Sequence, residues 1–151
     1  MTSIYVAGAS KEIERAKHVI ACCREMGLEV TLDWTEAIER ERAKGYATDA
    51  DCPPDVRRAN ALDDINGVAN ADVFLMLVPA KTSPSLGAWV ELGFAIALNA
   101  ATRDLGNPGF PRIIVSSSAV DAHNSIFLEL ADRSFVGAYA ETADKAALEY
   151  L

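Results

Sequence analysis

Short apolar runs alternate with segments of helical periodicity from the start of the chain. Residues 3–7 are mostly apolar and end at Gly8, which predicts a first strand and a turn. Ser10 is the expected N-cap of a helix over residues 13–27, where apolar or small residues recur every three or four positions. Cys23 falls on that repeating face, so we expect it in the core.

The middle of the chain contains two more predicted strands, separated by a long polar stretch. Residues 28–33 alternate between apolar and polar side chains, as half-buried strands do. Residues 35–57 are polar, charged and poorly periodic, which predicts a functional loop or a partly helical excursion. A helix is expected to follow to about Ala69. Residues 72–78 then form a near-continuous apolar run, typical of a buried parallel strand.

The alternation continues through the second half. The pattern predicts a long helix that contains the apolar run over 86–98, a strand over 113–116, a short helix over 124–131, a strand over 135–138 and a last helix over 141–151. Alternating strands and helices favour an α/β fold. We therefore expect a single domain over residues 1–151, doubly wound and flavodoxin- or Rossmann-like, with a five-stranded parallel sheet and helices on both faces.

The charge balance bears on the kind of ligand. The formal net charge of this 151-residue chain is -8. Proteins that grip nucleic acid through its phosphates need a basic patch, so nucleic acid is not an expected partner. A small anion is still compatible with this charge, because a few backbone N–H groups can hold one phosphate.

The cysteines and the apolar segments bear on the compartment. Cys22 and Cys23 are neighbours, Cys52 stands alone, and no C-x-x-C pair occurs. A disulfide framework or a zinc site is not expected, no pair of histidines has metal-ligand spacing, and a reducing cytoplasm fits best. No apolar run reaches the roughly 18 residues of a membrane span, and the N-terminus does not read as a secretory signal.

One charged side chain interrupts the apolar helix. Glu91 is the only charged residue between Lys81 and Arg103. A carboxylate in such a helix costs several kcal/mol unless it is neutralised, paired or hydrogen-bonded. It is therefore either a structural ion pair or a group that performs chemistry. An ion pair would need an arginine from elsewhere in the chain, and the candidates are Arg57, Arg58 and Arg112.

The neighbours of Glu91 on its helix favour an accessible carboxylate. Gly87, Ala88 and Ala95 lie three or four residues away and share its face. Such small side chains leave space above the carboxylate, and a perturbed carboxylate in a cleft is a candidate functional group.

Other candidates follow predicted strands. In open parallel sheets, ligands bind outside the carboxyl ends of the strands, where Gly8, Ser10, Asp33 and Trp34 are expected. The Trp34 indole could stack on a base or merely cover the core. G-x-G-x-x-G, the fingerprint of dinucleotide binding, is absent.

The turn into the apolar helix is a further candidate. Ser83 before Pro84 fits an N-cap followed by proline at the first helical position. The first-turn N–H groups, the Ser85 hydroxyl and Gly87 could hold an anion there. The alternative is an ordinary capped helix start.

Three ordered segments resemble the nucleoside 2-deoxyribosyltransferase family and its relatives that hydrolyse nucleoside 5′-monophosphates. Residues 4–8 (IYVAG) are similar to the opening strand and glycine turn of that family. Residues 64–72 are similar to its D-x-x-x-[IVL]-x-x-[AN]-D segment, and residues 85–95 to its signature helix. From residue type alone, Asp64 would be a solvated helix charge and Tyr5 a core residue.

The resemblance implies roles for these residues. Glu91 would be the nucleophile that attacks C1′ of the sugar, Asp64 would position the sugar or handle the proton of the base, and Tyr5 would orient Glu91. This is the two-step logic of retaining glycoside cleavage. The resemblance implies no cofactor and no metal.

One position separates the two branches of the family. Transferases usually place Asp six residues before the nucleophilic Glu, whereas this chain has Ser85 there, as the 5′-monophosphate hydrolases do. A serine at a helix N-terminus can donate to a phosphate that an aspartate would repel. We therefore expect an N-glycosidase acting on a nucleotide, with a transferase or a non-catalytic nucleotide-binding module as the alternatives. Asn124 and Ser125 resemble residues that reach across a homodimer interface, which implies a composite active site.

Overall fold

The computed structural model describes all residues, 1–151, and contains one five-stranded parallel sheet. The strands are β1 (Ser3–Ala7), β2 (Glu29–Val30), β3 (Val73–Leu77), β4 (Arg112–Ser118) and β5 (Arg133–Gly137). Their spatial order is β2-β1-β3-β4-β5, and every neighbouring pair is parallel. This is the flavodoxin-like order, in which the chain reverses direction across the sheet between β1 and β3. It confirms the predicted fold class.

Five α-helices cover the sheet. They are α1 (Ile13–Glu25), α2 (Trp34–Ala43), α3 (Pro54–Ala69), α4 (Leu86–Asp104) and α5 (Ala140–Tyr150). Helices α1 and α5 contact each other, and so do α3 and α4, as expected for two helical layers on opposite faces. None of the helices combines the length and the apolar character that a bilayer span requires.

The core lies on the central strands. All five residues of β1 and of β3 are buried, which is why both read as nearly continuous apolar runs. Cys23 of α1 is fully buried, as its periodic position predicts. The flanking strand β2 is only two residues long, much shorter than the predicted 28–33, because only Ser3 and Ile4 of β1 pair with it.

The predicted excursion over residues 35–57 contains more regular structure than its polar sequence suggested. Helix α2 begins at Trp34, and a 3₁₀ turn spans Asp49–Asp51. Helix α3 already begins at Pro54. Proline is favourable at the first helical position because the N–H that it lacks would have no partner within the helix. Sequence periodicity missed α2 because its residues are largely polar, with only one side of the helix packed on the protein.

Two predicted helix caps are displaced. Ser10 lies inside a 3₁₀ turn (Ser10–Glu12) whose N-cap is Ala9, so it does not cap the helix. At α4 the N-cap is Ser85 and not Ser83, and the Ser85 side chain accepts a hydrogen bond from the Ala88 N–H. The start of α4 is therefore two residues later than Pro84 predicted.

The loop that leads into α4 is anchored from two sides. On one side, the Glu12 carboxylate accepts a hydrogen bond from the Ala80 N–H at 3.1 Å. On the other, the Asp121 carboxylate accepts from the Lys81 N–H at 3.1 Å. These bonds fix the path of the chain from the end of β3 to the first turn of α4, which carries Ser85.

Candidate active site

A cavity of about 470 Å³ opens at the carboxyl ends of β1 and β3, where the strand order reverses. Helices α3 and α4 form two of its walls, and α2 forms a third. Glu91, Asp64 and Ser85 all line it, and Tyr5 lies beneath it in β1. This is the position at which open α/β sheets bind ligands.

Glu91 faces the cavity without a cationic partner. Its side chain is 8% exposed and forms no salt bridge, so none of the arginines considered above neutralises it. It instead accepts a hydrogen bond from the Tyr5 hydroxyl at 3.1 Å. Gly87 and Ala88 line the cavity beside it, so small side chains do leave the carboxylate accessible.

Tyr5 is held rigidly under Glu91. It is fully buried, and its ring stacks on Phe74 of β3 with centroids 6.0 Å apart. Gly67 of α3 makes room for it, because a Cβ at that position would lie 2.8 Å from the Tyr5 ring. The glycine thus lets helix α3 approach the strand closely enough to place the Tyr5 hydroxyl in the cavity floor.

Asp64 and Glu91 form an electrostatically coupled pair. Burial, followed by the charge of Asp64, raises the pKa of Glu91 to about 8, and the hydrogen bond from Tyr5 opposes this rise. Burial raises the pKa of Asp64 to about 6; the Tyr5 hydroxyl opposes the rise and the charge of Asp49 adds to it. Burial and both carboxylates raise the pKa of Tyr5, which stays protonated as a donor. Near neutral pH the pair therefore holds about one proton.

The first turn of α4 also lines the cavity. Ser85 accepts the hydrogen bond of Ala88 N–H, which leaves its hydroxyl hydrogen free to donate. The first N–H groups of a helix have no intrahelical partner, and the helix dipole favours negative charge there. Gly87 opens onto the cavity, since a Cβ added to it would meet only the Ser85 Oγ, at 4.0 Å.

Of the candidate residues that follow β1 and β2, some line the cavity and one has a structural role outside it. Gly8, Ser10 and Trp34 line the cavity. The Trp34 indole N–H donates to the Val6 carbonyl at 2.7 Å, so this donor is already used and only the apolar part of the indole is available to a ligand. Asp33 does not line the cavity; it caps α2 through the Thr35 N–H and pairs with Arg24.

Asn124 and Ser125 lie outside this cavity. The Asn124 amide donates to the Pro79 carbonyl at 3.3 Å, and its buried Oδ1 has no partner. Ser125 accepts from the Phe127 N–H and caps a 3₁₀ helix over Ile126–Leu130. Neither side chain contributes to the site of its own chain, so any role in binding must be in a neighbouring subunit.

The comparison of solved structures gives a match over the whole chain. The CMP N-glycosidase BcmB of Clostridium botulinum superposes with a TM-score of 0.61 at 17% sequence identity, covering 99% of this chain and 100% of that one. The chain has the fold of this N-glycosidase. No protein-family model matches the sequence, and a search of curated proteins gives no match either. The likeness confirms the fold that the resemblance in the sequence implied.

Part of the cavity wall consists of residues that the sequence had not marked as site candidates. Asn60, Asp49, Ile38 and Cys52 also line the cavity, as does Arg57, which we had considered only as an ion-pair partner. A signal for two of them was present: Arg57 and Asn60 precede Asp64 by seven and four residues, the spacing of one helix face. No group of three or more His, Cys, Asp or Glu side chains is arranged to hold a metal ion.

Proposed function

We propose that the protein is a single-domain N-glycosidase that cleaves the base–sugar bond of a nucleoside 5′-monophosphate, releasing the free base and a pentose 5-phosphate. The observation that carries this proposal is the accessible, unpaired Glu91 hydrogen-bonded to Tyr5, next to Asp64, in one cavity with the N-terminus of α4. The fold shared with a CMP N-glycosidase supports it.

The first chemical step is displacement of the base. The Glu91 carboxylate attacks C1′, the bond from C1′ to the base nitrogen breaks, and Asp64 delivers a proton to the departing base. Tyr5 holds the attacking carboxylate in place through its hydrogen bond to Oε1. In the second step Asp64 takes a proton from water, whose oxygen attacks C1′ and frees the Glu91 carboxylate.

Recognition of the phosphate falls to the first turn of α4. The Ser85 hydroxyl and the N–H groups beside Gly87 can donate to a phosphate, and the absence of a side chain at Gly87 gives the anion close access. Ser10 lines the same cavity from the turn after β1 and supplies another hydroxyl. The ligand is thus a small nucleotide and not a nucleic acid.

Product analysis tests the reaction and separates it from its alternatives. We expect the protein to release base from a nucleoside 5′-monophosphate and to release little from the matching nucleoside. A second incubation pairs a deoxynucleoside with a different free base, and chromatography detects any new nucleoside. Formation of that nucleoside would show that the protein is a transferase. If no common nucleotide released its base, the protein would instead be a non-catalytic nucleotide-binding module.

The proton shared by Asp64 and Glu91 predicts a bell-shaped pH profile for the wild type. Below about pH 6 both carboxyls are protonated and the nucleophile is neutral; above about pH 8 both are ionised and no acid protonates the base. Between these values the pair holds one proton, mostly on Glu91 because its pKa is the higher, and the reacting form is the one in which that proton has moved to Asp64 and Glu91 is ionised. We expect kcat/KM for base release to peak between these values, and the two apparent pKa values of the profile to belong to the pair and not to either residue. Asp64→Asn should remove the alkaline limb; an unchanged profile in that variant would contradict the assignment.

We also propose a homodimer whose interface includes α4. Leu86 and Val90 on α4 are 86% and 63% exposed, and the 3₁₀ helix over Ile126–Leu130 adds further exposed apolar side chains. Contiguous exposed apolar surface often marks an interface. In a dimer the partner subunit's Asn124 or Ser125 could complete the site, and sedimentation at micromolar concentration measures the subunit number.

All three cysteines are free thiols in the structure. Unpaired cysteines are the rule in reducing compartments, which supports our placement of the enzyme in the cytoplasm.

A further inference from the structure

The direction in which the base leaves divides the cavity into two ends. A nucleophile that displaces a leaving group attacks from the opposite side of the reacting carbon, so the base must point away from Glu91. Glu91 lies on α4, and the facing walls belong to α3 and to the segment that precedes it. If the phosphate binds at the first turn of α4, the base must lie against the part of the cavity that Asp49, Arg57 and Asn60 line.

The residues at this end follow Asp64 up one face of α3. Asn60 lies about 6 Å and Arg57 about 10 Å from Asp64 along the helix axis, at a rise of about 1.5 Å per residue. If Asp64 protonates the base at the nitrogen bonded to C1′, then Asn60 and Arg57, farther along the helix, lie level with the edge of the base that is remote from the sugar. Trp34 and Ile38 of α2 supply an apolar wall for its flat face.

The polar side chains at this end have no partner within the chain. Asp49, Arg57 and Asn60 form no side-chain hydrogen bond and no salt bridge, although an aspartate and an arginine line the same cavity. The adjacent Asp51, by contrast, is used in the capping box of the 3₁₀ turn through Thr48. Asp49 is near enough to Asp64 for its charge to raise the pKa of that residue.

The three free side chains have complementary hydrogen-bonding characters. A guanidinium only donates, a carboxylate only accepts, and an amide does both. We propose that Arg57 and Asp49 read the edge of an amino-oxo base such as cytosine or guanine, with Arg57 donating to its carbonyl, Asp49 accepting from its amino group and Asn60 bonding between them. This inference rests on the proposed N-glycosidase function and names the base that the site selects.

Two matched pairs of nucleotides test the assignment. CMP carries an amino group where UMP has a carbonyl, and GMP carries an amino group that IMP lacks; Asp49 is assigned to accept a hydrogen bond from this amino group. We expect wild type to favour the amino-bearing member by about 10- to 100-fold in kcat/KM, the range of one hydrogen bond to a charged group. Asp49→Asn should bring the ratio close to one, and Arg57→Gln should lower kcat/KM for CMP by a similar factor.

The chain offers matched controls next to both positions. Asp55 and Arg58 are exposed in the first turns of α3 and do not line the cavity. Asp55→Asn and Arg58→Gln should leave the ratios of CMP to UMP and of GMP to IMP unchanged. Ribose 5-phosphate, which has no base, should inhibit Arg57→Gln and wild type equally; weaker inhibition of the variant would assign Arg57 to the phosphate and overturn the proposal.

Failure of the proposed reaction is distinguishable from failure of this inference. Binding of CMP and UMP to Glu91→Gln, measured by calorimetry, gives the same ranking without turnover. If wild type releases no base but CMP still binds more tightly than UMP, only the reaction is wrong. If bases are released but the Asp49→Asn ratio equals that of wild type, the base-edge assignment is wrong and the reaction stands.

Discussion

Replacing Glu91 with glutamine is expected to lower kcat for base release by on the order of 10⁴-fold, the scale of losing a nucleophile. Glutamine has nearly the same shape, and its amide oxygen can still accept the hydrogen bond that Tyr5 donates to Oε1. Nucleotide binding should therefore be retained while bond cleavage is lost. Steady-state kinetics with CMP and a calorimetric Kd measure the two effects separately.

A second buried glutamate provides the control for this substitution. Glu41 of α2 is 6% exposed, is paired with Arg40 and Lys44, and does not line the cavity. Glu41→Gln should reduce stability and retain most of the activity. Rapid acid quenching of wild type should also trap a sugar-phosphate adduct on the peptide containing Glu91. A Glu91→Gln enzyme within tenfold of wild type in kcat, shown free of wild-type contamination, would refute the nucleophile assignment.

The sequence predicted those parts of the fold and site whose residues are unusual for their position. The apolar runs of β1 and β3 are buried from end to end, and Glu91 is anomalous in an apolar helix, so composition alone marked them. The turn at Ser85 was a candidate anion site from its residues, but the resemblance was needed to favour that interpretation, because a serine near a helix start has an ordinary structural explanation as a cap.

Other parts depend on tertiary contacts that leave little trace in a single sequence. Helix α2 has a polar sequence and is fixed by Trp34, whose indole N–H binds the Val6 carbonyl across the chain. Asp33 was expected in the site because it follows a predicted strand, but helix α2 starts there and uses it as a cap. Arg57 and Asn60 are common surface residues, and only the position of α3 beside the cavity makes them candidate ligand contacts.

The pair of carboxyls bears on how an acidic protein would admit the phosphate-bearing substrate that we propose. The formal net charge is -8, and the cavity contains Asp49, Asp64 and Glu91 against the single cation Arg57. Because the pKa of Glu91 is raised to about 8, the coupled pair carries close to one negative charge at neutral pH and not two. In the proposed reaction, the raised pKa would reduce repulsion of the anion, and the proton of the pair would reach the base after moving from Glu91 to Asp64.

Ser85→Asp is expected to reverse the preference for phosphorylated substrates. A carboxylate several ångströms from the phosphate costs a few kcal/mol at the effective dielectric of a partly exposed site, which corresponds to about 10²- to 10³-fold in kcat/KM. Turnover of the matching deoxynucleoside should persist or rise, because a carboxylate can accept a hydrogen bond from a free 5′-hydroxyl. The ratio of kcat/KM for monophosphate over nucleoside is the measurement.

Aspartate is an informative replacement because it is as good an N-cap as serine. The Ala88 N–H would keep an acceptor, and a negative charge at the start of α4 is favourable to the helix dipole. If Ser85 served only as a helix cap, Ser85→Asp would therefore leave both stability and activity unchanged. Ser83→Asp adds the same charge two residues earlier, outside the cavity, and Ser85→Ala removes the hydroxyl without adding charge. An anion site at the first turn of α4 predicts three results together. Ser85→Asp retains its thermal stability, it loses more monophosphate turnover than Ser85→Ala does, and Ser83→Asp stays close to wild type. An ordinary cap does not predict this combination.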